Sequence, residues 1–197
     1  LKYSYPAAIS IGNSVAKVSN KQNKKVKLNK KIKTFKSIRF SNIFFKFPNN
    51  GYKINFNLKI RFGEKIGILG ESGSGKTTLI NLLLGLYKPD KGNIHLDDQK
   101  IQNIDLKNFI SYVPQSVYIF DHTILENITF GEYEKLRDKT LINNSLRFSN
   151  SHGFVQKLPF KLLSKTGEAG SKLSQGQRQR LGIARALYNN LPILMLD

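Results

Sequence analysis

The stretch Gly70-Glu71-Ser72-Gly73-Ser74-Gly75-Lys76-Thr77 decides the fold of this chain. It fits the pattern G-x-x-x-x-G-K-[ST], in which a glycine-rich loop connects a β-strand to an α-helix. The glycines let successive backbone N–H groups point inward as an anion-binding nest, and the positive N-terminus of the helix points at the same place. In such a loop, Lys76 reaches the β- and γ-phosphates of a nucleotide and the Thr77 hydroxyl ligates Mg²⁺.

The flanking sequence supplies the strand and the helix that this phosphate loop (residues 70–78) requires. Residues 65–69 form a short apolar run, which we expect to be a buried parallel strand. Residues 77–86 are apolar nearly all round, which predicts a buried helix. The alternative interpretation is a chance Gly/Ser loop with a solvated lysine. Such a loop need not lie between a strand and a helix, so the predicted strand and helix favour the phosphate loop.

A carboxylate far along the chain complements the loop. Residues 193–196 are apolar and are followed by Asp197, so a buried strand would deliver one acid at its carboxyl end. In proteins with a phosphate loop, an acid in that position holds the Mg²⁺ shell. The pattern is weak by itself, because any buried strand that ends in Asp matches it. The phosphate loop upstream is what favours a role for Asp197 in metal binding.

The remaining pattern predicts an antiparallel pair followed by a parallel sheet. Residues 54–62 alternate apolar and polar side chains, which predicts a half-buried strand, and the turn at 48–51 pairs it with residues 38–47. Beyond residue 64, strands alternate with helices, which favours an α/β parallel sheet. We expect strands at 93–97, 110–113 and 193–196, mostly helix over 121–160, and an amphipathic helix at 175–189.

The positive charge is concentrated in the first third of the chain. The formal net charge is +19, and residues 1–63 contain 15 Lys or Arg and no acidic residue. Three interpretations remain open: a solvated linker, a cytoplasmic segment beside a membrane helix, and a nucleic-acid-binding arm. The third is disfavoured because the densest part, residues 17–39, contains one aromatic side chain, Phe35. The absence of cysteine excludes disulfides and cysteine-based zinc sites.

A second motif is Leu173-Ser174-Gln175-Gly176-Gln177. Ser174 and Gln177 are spaced as an ordinary capping box that opens a helix. A capped helix start with a glycine is also a good anion site, so the pentapeptide alone does not distinguish the two interpretations.

The order and spacing of these motifs resemble the nucleotide-binding domain of ABC transporters. That family has Walker A, Q-loop, signature and Walker B motifs in this order, here the phosphate loop, Gln115, the pentapeptide and Asp197. The resemblance also covers the neighbouring sequences at 113–115, 166–168 and 184–187. Residues 120–128 look like the exporter type, in which this part faces the membrane domain, and are most similar to lipid or lipid-linked oligosaccharide flippases. The fold implied is α/β, a P-loop NTPase with a RecA-like parallel core, an N-terminal antiparallel β subdomain and an inserted α-helical subdomain.

The resemblance implies a role for each motif. ATP and Mg²⁺ are the implied cofactors, and ATP is sandwiched between two domains in a head-to-tail dimer. Catalysis is assigned to Lys76, Gln115 and Asp197, and metal binding to Thr77, Gln115 and Asp197. The implied nucleotide-binding residues are Phe47, Gly70, Glu71, Ser72, Gly73, Ser74, Gly75, Lys76, Thr77, Thr78, Gln115, Ser174, Gln175, Gly176 and Gln177.

Two residues depart from the family's usual pattern. Phe47 stands where the family usually has a Tyr that stacks on adenine, and it keeps the aromatic face. Gln175 stands where the signature usually has Gly, which would be strained if that backbone required a positive φ.

The resemblance also implies a domain organisation. We expect residues 1–20 to be the end of the last transmembrane helix of a membrane domain, 21–37 a basic linker near the anionic lipid leaflet, and 38–197 an incomplete nucleotide-binding domain. The expected location is the cytoplasmic face of the cell's inner membrane, as part of an integral membrane protein. The family's catalytic Glu and switch His would follow Asp197, so we expect the full-length protein to hydrolyse ATP and the 197-residue chain only to bind it. The alternative is a soluble ABC-type ATPase that acts on nucleic acid through its basic arm.

Overall fold

The computed structural model describes residues 35–47, 51–130 and 138–197. The strands are β1 (Ser37–Lys46), β2 (Lys53–Arg61), β3 (Lys91–Leu96), β4 (Gln99–Ile101), β5 (Ile110–Val113) and β6 (Ile193–Leu196). The α-helices are α1 (Lys76–Leu83), α2 (Ile124–Thr129), α3 (Lys139–Phe148), α4 (His152–Gln156) and α5 (Gln175–Tyr188). Short 3₁₀ turns lie at Asn103–Asn108, Lys161–Leu163 and Glu168–Gly170.

The first sheet is antiparallel, with strand order β2-β1-β3-β4. The predicted pairing of the first two strands is confirmed, with Ile38 opposite Ile60 and Phe40 opposite Leu58. A bulge between Phe40 and Ile43 shifts this register, and Asn42 there adopts a left-handed φ of 52°. Because side chains alternate along a strand, one face of the sheet carries the apolar residues that form the first core.

The second sheet is the parallel pair of β5 and β6, in which Tyr112 lies opposite Met195 and Val113 opposite Leu196. Ile110, Ile193 and Met195 pack into the same core as Leu79 and Leu83 of α1. The predicted α/β core is therefore present, and α1 and the parallel pair contribute side chains to the same core.

A second core belongs to the helices. Ile124 and Ile128 of α2, Leu146 of α3, Val155 of α4 and Leu181 of α5 are each at most 1 % exposed and pack in one cluster. The predicted amphipathic helix near 175–189 is confirmed as α5, which ends before Pro192. The described residues within 121–160 are mostly helical, as expected, but form three short helices, α2, α3 and α4.

Three predictions about burial are wrong. Residues 65–69 are not a strand, and Leu69 is 95 % exposed. A buried parallel strand requires pairing partners and covered faces, and among the described residues no strand pairs with this segment. Leu194 and Leu196 of β6 are exposed for a related reason. Their neighbours on β5, Ser111 and Val113, are buried, so the cover of this face ends before β6. The predicted helix 77–86 ends at Leu83, since Gly85 has a φ of 71°, and Leu86 is exposed.

In the described part of the chain, no helix is both long and apolar enough to cross a membrane. The predictions for residues 1–20, and for the linker up to residue 34, lie outside the described residues. Phe35 is buried in the first core, and the backbone N–H groups of Lys36 and Ser37 both donate to Asp97 Oδ1 at 2.7 and 2.8 Å.

Candidate nucleotide-binding site

The phosphate loop has a backbone that demands glycine at particular positions. Gly73 and Gly75 have φ values of 81° and 94°, in the left-handed region that side chains disfavour. Gly75 also caps α1, and a Cβ there would lie 2.6 Å from the Tyr52 hydroxyl oxygen. At Gly70 a Cβ would lie 2.6 Å from Ser74 Oγ. The glycine-rich turn before α1, called the glycine cradle below, therefore depends on the backbone freedom of glycine at positions 73 and 75.

The cradle concentrates positive charge at its centre. Lys76 Nζ donates to the carbonyl oxygens of Gly70 and Glu71, at 2.7 and 2.6 Å, so the ammonium group is held over the loop. The helix α1 begins at the same residue and has no acidic side chain in its first turn, which leaves the positive end of its dipole uncompensated. Thr77 is exposed and Thr78 is buried. These features fit a ligand with several phosphate groups.

Asp197 lies at the carboxyl end of β6, on the side of the strand that faces the first core. The register of the parallel pair places Met195 opposite Tyr112, and alternation along the strand puts Asp197 on the same face as Met195. Met195 packs into the core that contains Leu79 and Leu83 of α1. A carboxylate and the Thr77 hydroxyl are oxygen ligands of the kind that Mg²⁺ prefers, so the donor set fits a magnesium nucleotide.

Tyr112 holds this carboxylate, and the sequence analysis missed it. Its hydroxyl donates to Asp197 Oδ2 at 2.9 Å, while the Asp197 backbone N–H donates to the Val113 carbonyl at 3.0 Å. Burial, and then the neighbouring Asp197 carboxylate, raise the pKa of Tyr112. Gln115 follows β5 two residues beyond its end, at the same carboxyl edge as Asp197, and is exposed.

Phe47 belongs to an aromatic cluster beside the loop. Its ring centroid lies 5.1 Å from that of Phe45, 5.9 Å from Tyr87 and 6.0 Å from Tyr52. The Phe47 backbone N–H donates to the Tyr52 carbonyl at 2.9 Å, which ties the two ends of the hairpin together. Since the Tyr52 hydroxyl also touches Gly75, the cluster adjoins the phosphate loop. The sequence singled out Phe47 and missed Tyr52 and Tyr87, although Tyr52 follows the predicted turn directly.

The pentapeptide opens helix α5. The Ser174 backbone N–H donates to Gln177 Oε1 at 2.8 Å and the Gln177 backbone N–H to Ser174 Oγ at 3.3 Å, so the capping box is formed. Gln175 lies in the first helical turn and is not among the residues with positive φ, which answers the question of strain at that position. Ser174, Gln175 and Gly176 are exposed. Leu173 packs in the second core, whereas Leu79 and Leu83 of α1 pack in the first, so the pentapeptide and the helix after the phosphate loop belong to different cores.

Known proteins match this chain over most of its length. The family model described as ABC transporter matches residues 54–197. The ATP-dependent lipid A-core flippase of Methylobacillus flagellatus is 38% identical over 166 residues, which cover 82% of this chain and 28% of the flippase. The mitochondrial iron-sulfur clusters transporter ABCB7 of Danio rerio is 34% identical over 165 residues, which cover 82% of this chain and 22% of that transporter.

The solved structure of a bacterial Atm1-family ABC exporter with ATP bound matches with a TM-score of 0.72 at 31% sequence identity, covering 83% of this chain and 29% of that chain. The chain thus spans less than a third of the length of these relatives. The match confirms the predicted α/β P-loop NTPase fold with its antiparallel and helical subdomains. The chain belongs to the ABC transporter family, and it carries the nucleotide-binding domain of that family.

Proposed function

We propose that this chain is the ATP-binding and hydrolysing module of an ABC exporter, in which ATP-driven dimerisation is coupled to export or flipping of a substrate. The observation that carries the proposal is the glycine cradle with Lys76 at the start of α1, combined with an acid at the carboxyl end of β6 on the side that faces the first core. A charged phosphate chain suits the cradle because the Lys76 ammonium is held over the loop at the positive end of the helix.

Different residues of the site contact the phosphates, the adenine and the Mg²⁺ ion. Lys76 and the N–H groups of the loop bind the phosphates, and Phe47 stacks on adenine within its aromatic cluster. Thr77, Gln115 and Asp197 would hold Mg²⁺. When bound, the metal neutralises charge on the β- and γ-phosphates.

A second copy of the domain completes the site. Ser174, Gly176 and Gln177 would contact the γ-phosphate of ATP held by the facing copy. The exposure of Ser174 and Gly176 supports this assignment, as does the space around Gly176, where a Cβ would meet Arg180 Nη1 at an ordinary 3.6 Å. The glycine is therefore not required by packing within the chain, which is consistent with a close approach by another molecule.

The helical part offers a surface for the membrane domain. Tyr118, Phe120 and Phe130 form an exposed aromatic row, with centroids 5.0 and 5.4 Å apart. The half-buried Arg185 of α5 lies under two of these rings and donates to the carbonyls of Tyr118 and Asn127, at 3.0 and 2.8 Å. Motion of α5 would thus reach the aromatic row directly, which is the coupling that an exporter needs.

The remaining parts of the proposal concern the whole protein. We assign residues 1–20 to the end of a membrane domain, 21–37 to a basic linker beside the anionic leaflet, and the module (38–197) to the cytoplasmic face of the membrane. The transported substrate is a lipid, an oligosaccharide-linked lipid or a peptide. The exporters among the relatives favour this assignment over a soluble ATPase that acts on nucleic acid.

The test is ATP binding and hydrolysis by the full-length protein in lipid nanodiscs. Lys76→Ala should lower the hydrolysis rate by about 100-fold or more, because it removes a charged donor aimed at the phosphates. Lys88→Ala, which alters an exposed lysine just beyond α1, is the matched control and should leave the rate unchanged. Equal rates for wild type and Lys76→Ala, with both proteins folded, would overturn the proposal.

A further inference from the structure

Tyr112 and Asp197 lie 85 positions apart in the chain and meet because β5 and β6 pair in parallel. The Tyr112 hydroxyl donates to one carboxylate oxygen, Oδ2, at 2.9 Å. Neither the motif pattern nor the family match assigns a role to this tyrosine.

Two contacts fix the Asp197 carboxylate at the end of its strand. The backbone N–H of Asp197 extends the parallel ladder to the Val113 carbonyl, and the tyrosine holds the side chain from the neighbouring strand. Both contacts come from β5, so the position of the acid is set by the strand that also leads to Gln115. Because Tyr112 engages only one oxygen, the other oxygen remains as an acceptor toward a metal shell.

We propose that Tyr112 is a positioning residue for Mg²⁺: it orients Asp197 so that the second carboxylate oxygen faces the metal. This inference rests on the proposed function, since it requires Asp197 to serve the metal. A hydrogen-bonded partner behind a metal ligand sets the orientation of that ligand, and its loss typically weakens metal binding or activity by about 10- to 100-fold.

The experiment measures how strongly Mg²⁺ tightens ATP binding in the full-length protein. Affinity for a fluorescent ATP analogue is determined with Mg²⁺ and with EDTA, for wild type and Tyr112→Phe. The ring is retained and only the hydroxyl is lost, so affinity in EDTA should not change. The gain in affinity on adding Mg²⁺ should fall by about 10-fold. With Mn²⁺ in place of Mg²⁺, the electron paramagnetic resonance titration should show the same weakening.

Two comparisons separate positioning from a structural effect. Tyr188→Phe removes another tyrosine hydroxyl, one that accepts from the Asp138 N–H at 3.3 Å at the far end of α5, and should leave the Mg²⁺ effect intact. In an Asp197→Asn background, Tyr112→Phe should cause no additional loss.

Each other outcome has a definite meaning. A full Mg²⁺ effect in Tyr112→Phe, in a protein whose wild type binds MgATP, would overturn this inference and leave the proposed function standing. An equal loss in EDTA and in Mg²⁺ would also overturn it, because the tyrosine would then support the fold and not the metal. A folded wild type that binds no ATP would overturn the proposed function together with the inference.

Discussion

At the scale of single residues, the phosphate loop shows how backbone geometry selects side chains. Gly75 has a φ of 94°, so its conformation favours glycine, and a Cβ there would also displace the Tyr52 hydroxyl, which lies 2.6 Å from that position. Gly67, three residues before the loop, has neither constraint, because its φ lies outside the left-handed region and no atom lies within 4 Å of a Cβ built there.

Gly75→Ala should therefore lower the free energy of unfolding by about 1–3 kcal/mol, the usual cost of a non-glycine residue in a sparsely populated backbone region. ATP binding should weaken as well, since the loop must distort to relieve the strain. Chemical denaturation and titration with a fluorescent ATP analogue measure the two effects. Gly67→Ala is the control, with a change within about 0.5 kcal/mol. Equal stability of the two variants would contradict the strained-loop explanation.

At the scale of elements, helix α5 links the signature pentapeptide to the segment after Gln115. A Cβ at Gly182 would lie 2.6 and 2.7 Å from the two Cγ atoms of Val117, so helix and segment pack without room for a methyl group. On the same helix, Arg185 donates to Asn127 Oδ1 and to the carbonyls of Asn127 and Tyr118, which makes α5 the centre of the second core.

Gly182→Ala tests this packing because two effects oppose each other. Helix propensity alone predicts a stabilisation of about 1 kcal/mol, whereas overpacking against a stiff β-branched side chain predicts a loss of about 1–3 kcal/mol. We expect the loss to dominate in a denaturant titration. In a Val117→Ala background the same change should become neutral or stabilising, and a loss that persists there would show that Val117 is not the obstacle.

At the scale of the whole molecule, two cores carry the two parts of the proposed ATP site. The phosphate loop and Asp197 belong to the sheets and α1, while the pentapeptide belongs to the helical core. A head-to-tail dimer, as proposed, would bring the loop of one copy to the pentapeptide of the other. A substitution in the pentapeptide can then stabilise the folded domain and still weaken its dimerisation.

Gly176→Glu should have opposite effects on the stability of the domain and on its ATP-driven dimerisation. In the isolated domain it adds an acid to the first turn of α5, which has none, and should raise the free energy of unfolding by about 0.3–1 kcal/mol through the helix dipole. In the dimer the same carboxylate would face the phosphates bound by the partner and oppose ATP-driven association. Denaturation without nucleotide and sedimentation velocity with ATP measure the two effects.

The neutral variant Gly176→Gln, which has nearly the same size, is the control for charge. With ATP, the Gly176→Gln variant should dimerise more strongly than the Gly176→Glu variant. If both variants dimerise with ATP as wild type does, the pentapeptide does not face a nucleotide across the interface.

Features that depend on neighbouring residues along the chain could be predicted from the sequence. Glycine spacing in the phosphate loop, the capping box at Ser174 and the alternation over 54–62 are local patterns, and each corresponds to the structure that was expected. Tertiary structure decided whatever depends on pairing between distant segments. Residues 65–69 have the composition of a buried strand, yet burial requires partners on both sides, which composition does not report. The Tyr112–Asp197 contact likewise depends on strand register across 85 positions, because a one-residue slip would turn the two side chains to opposite faces of the sheet.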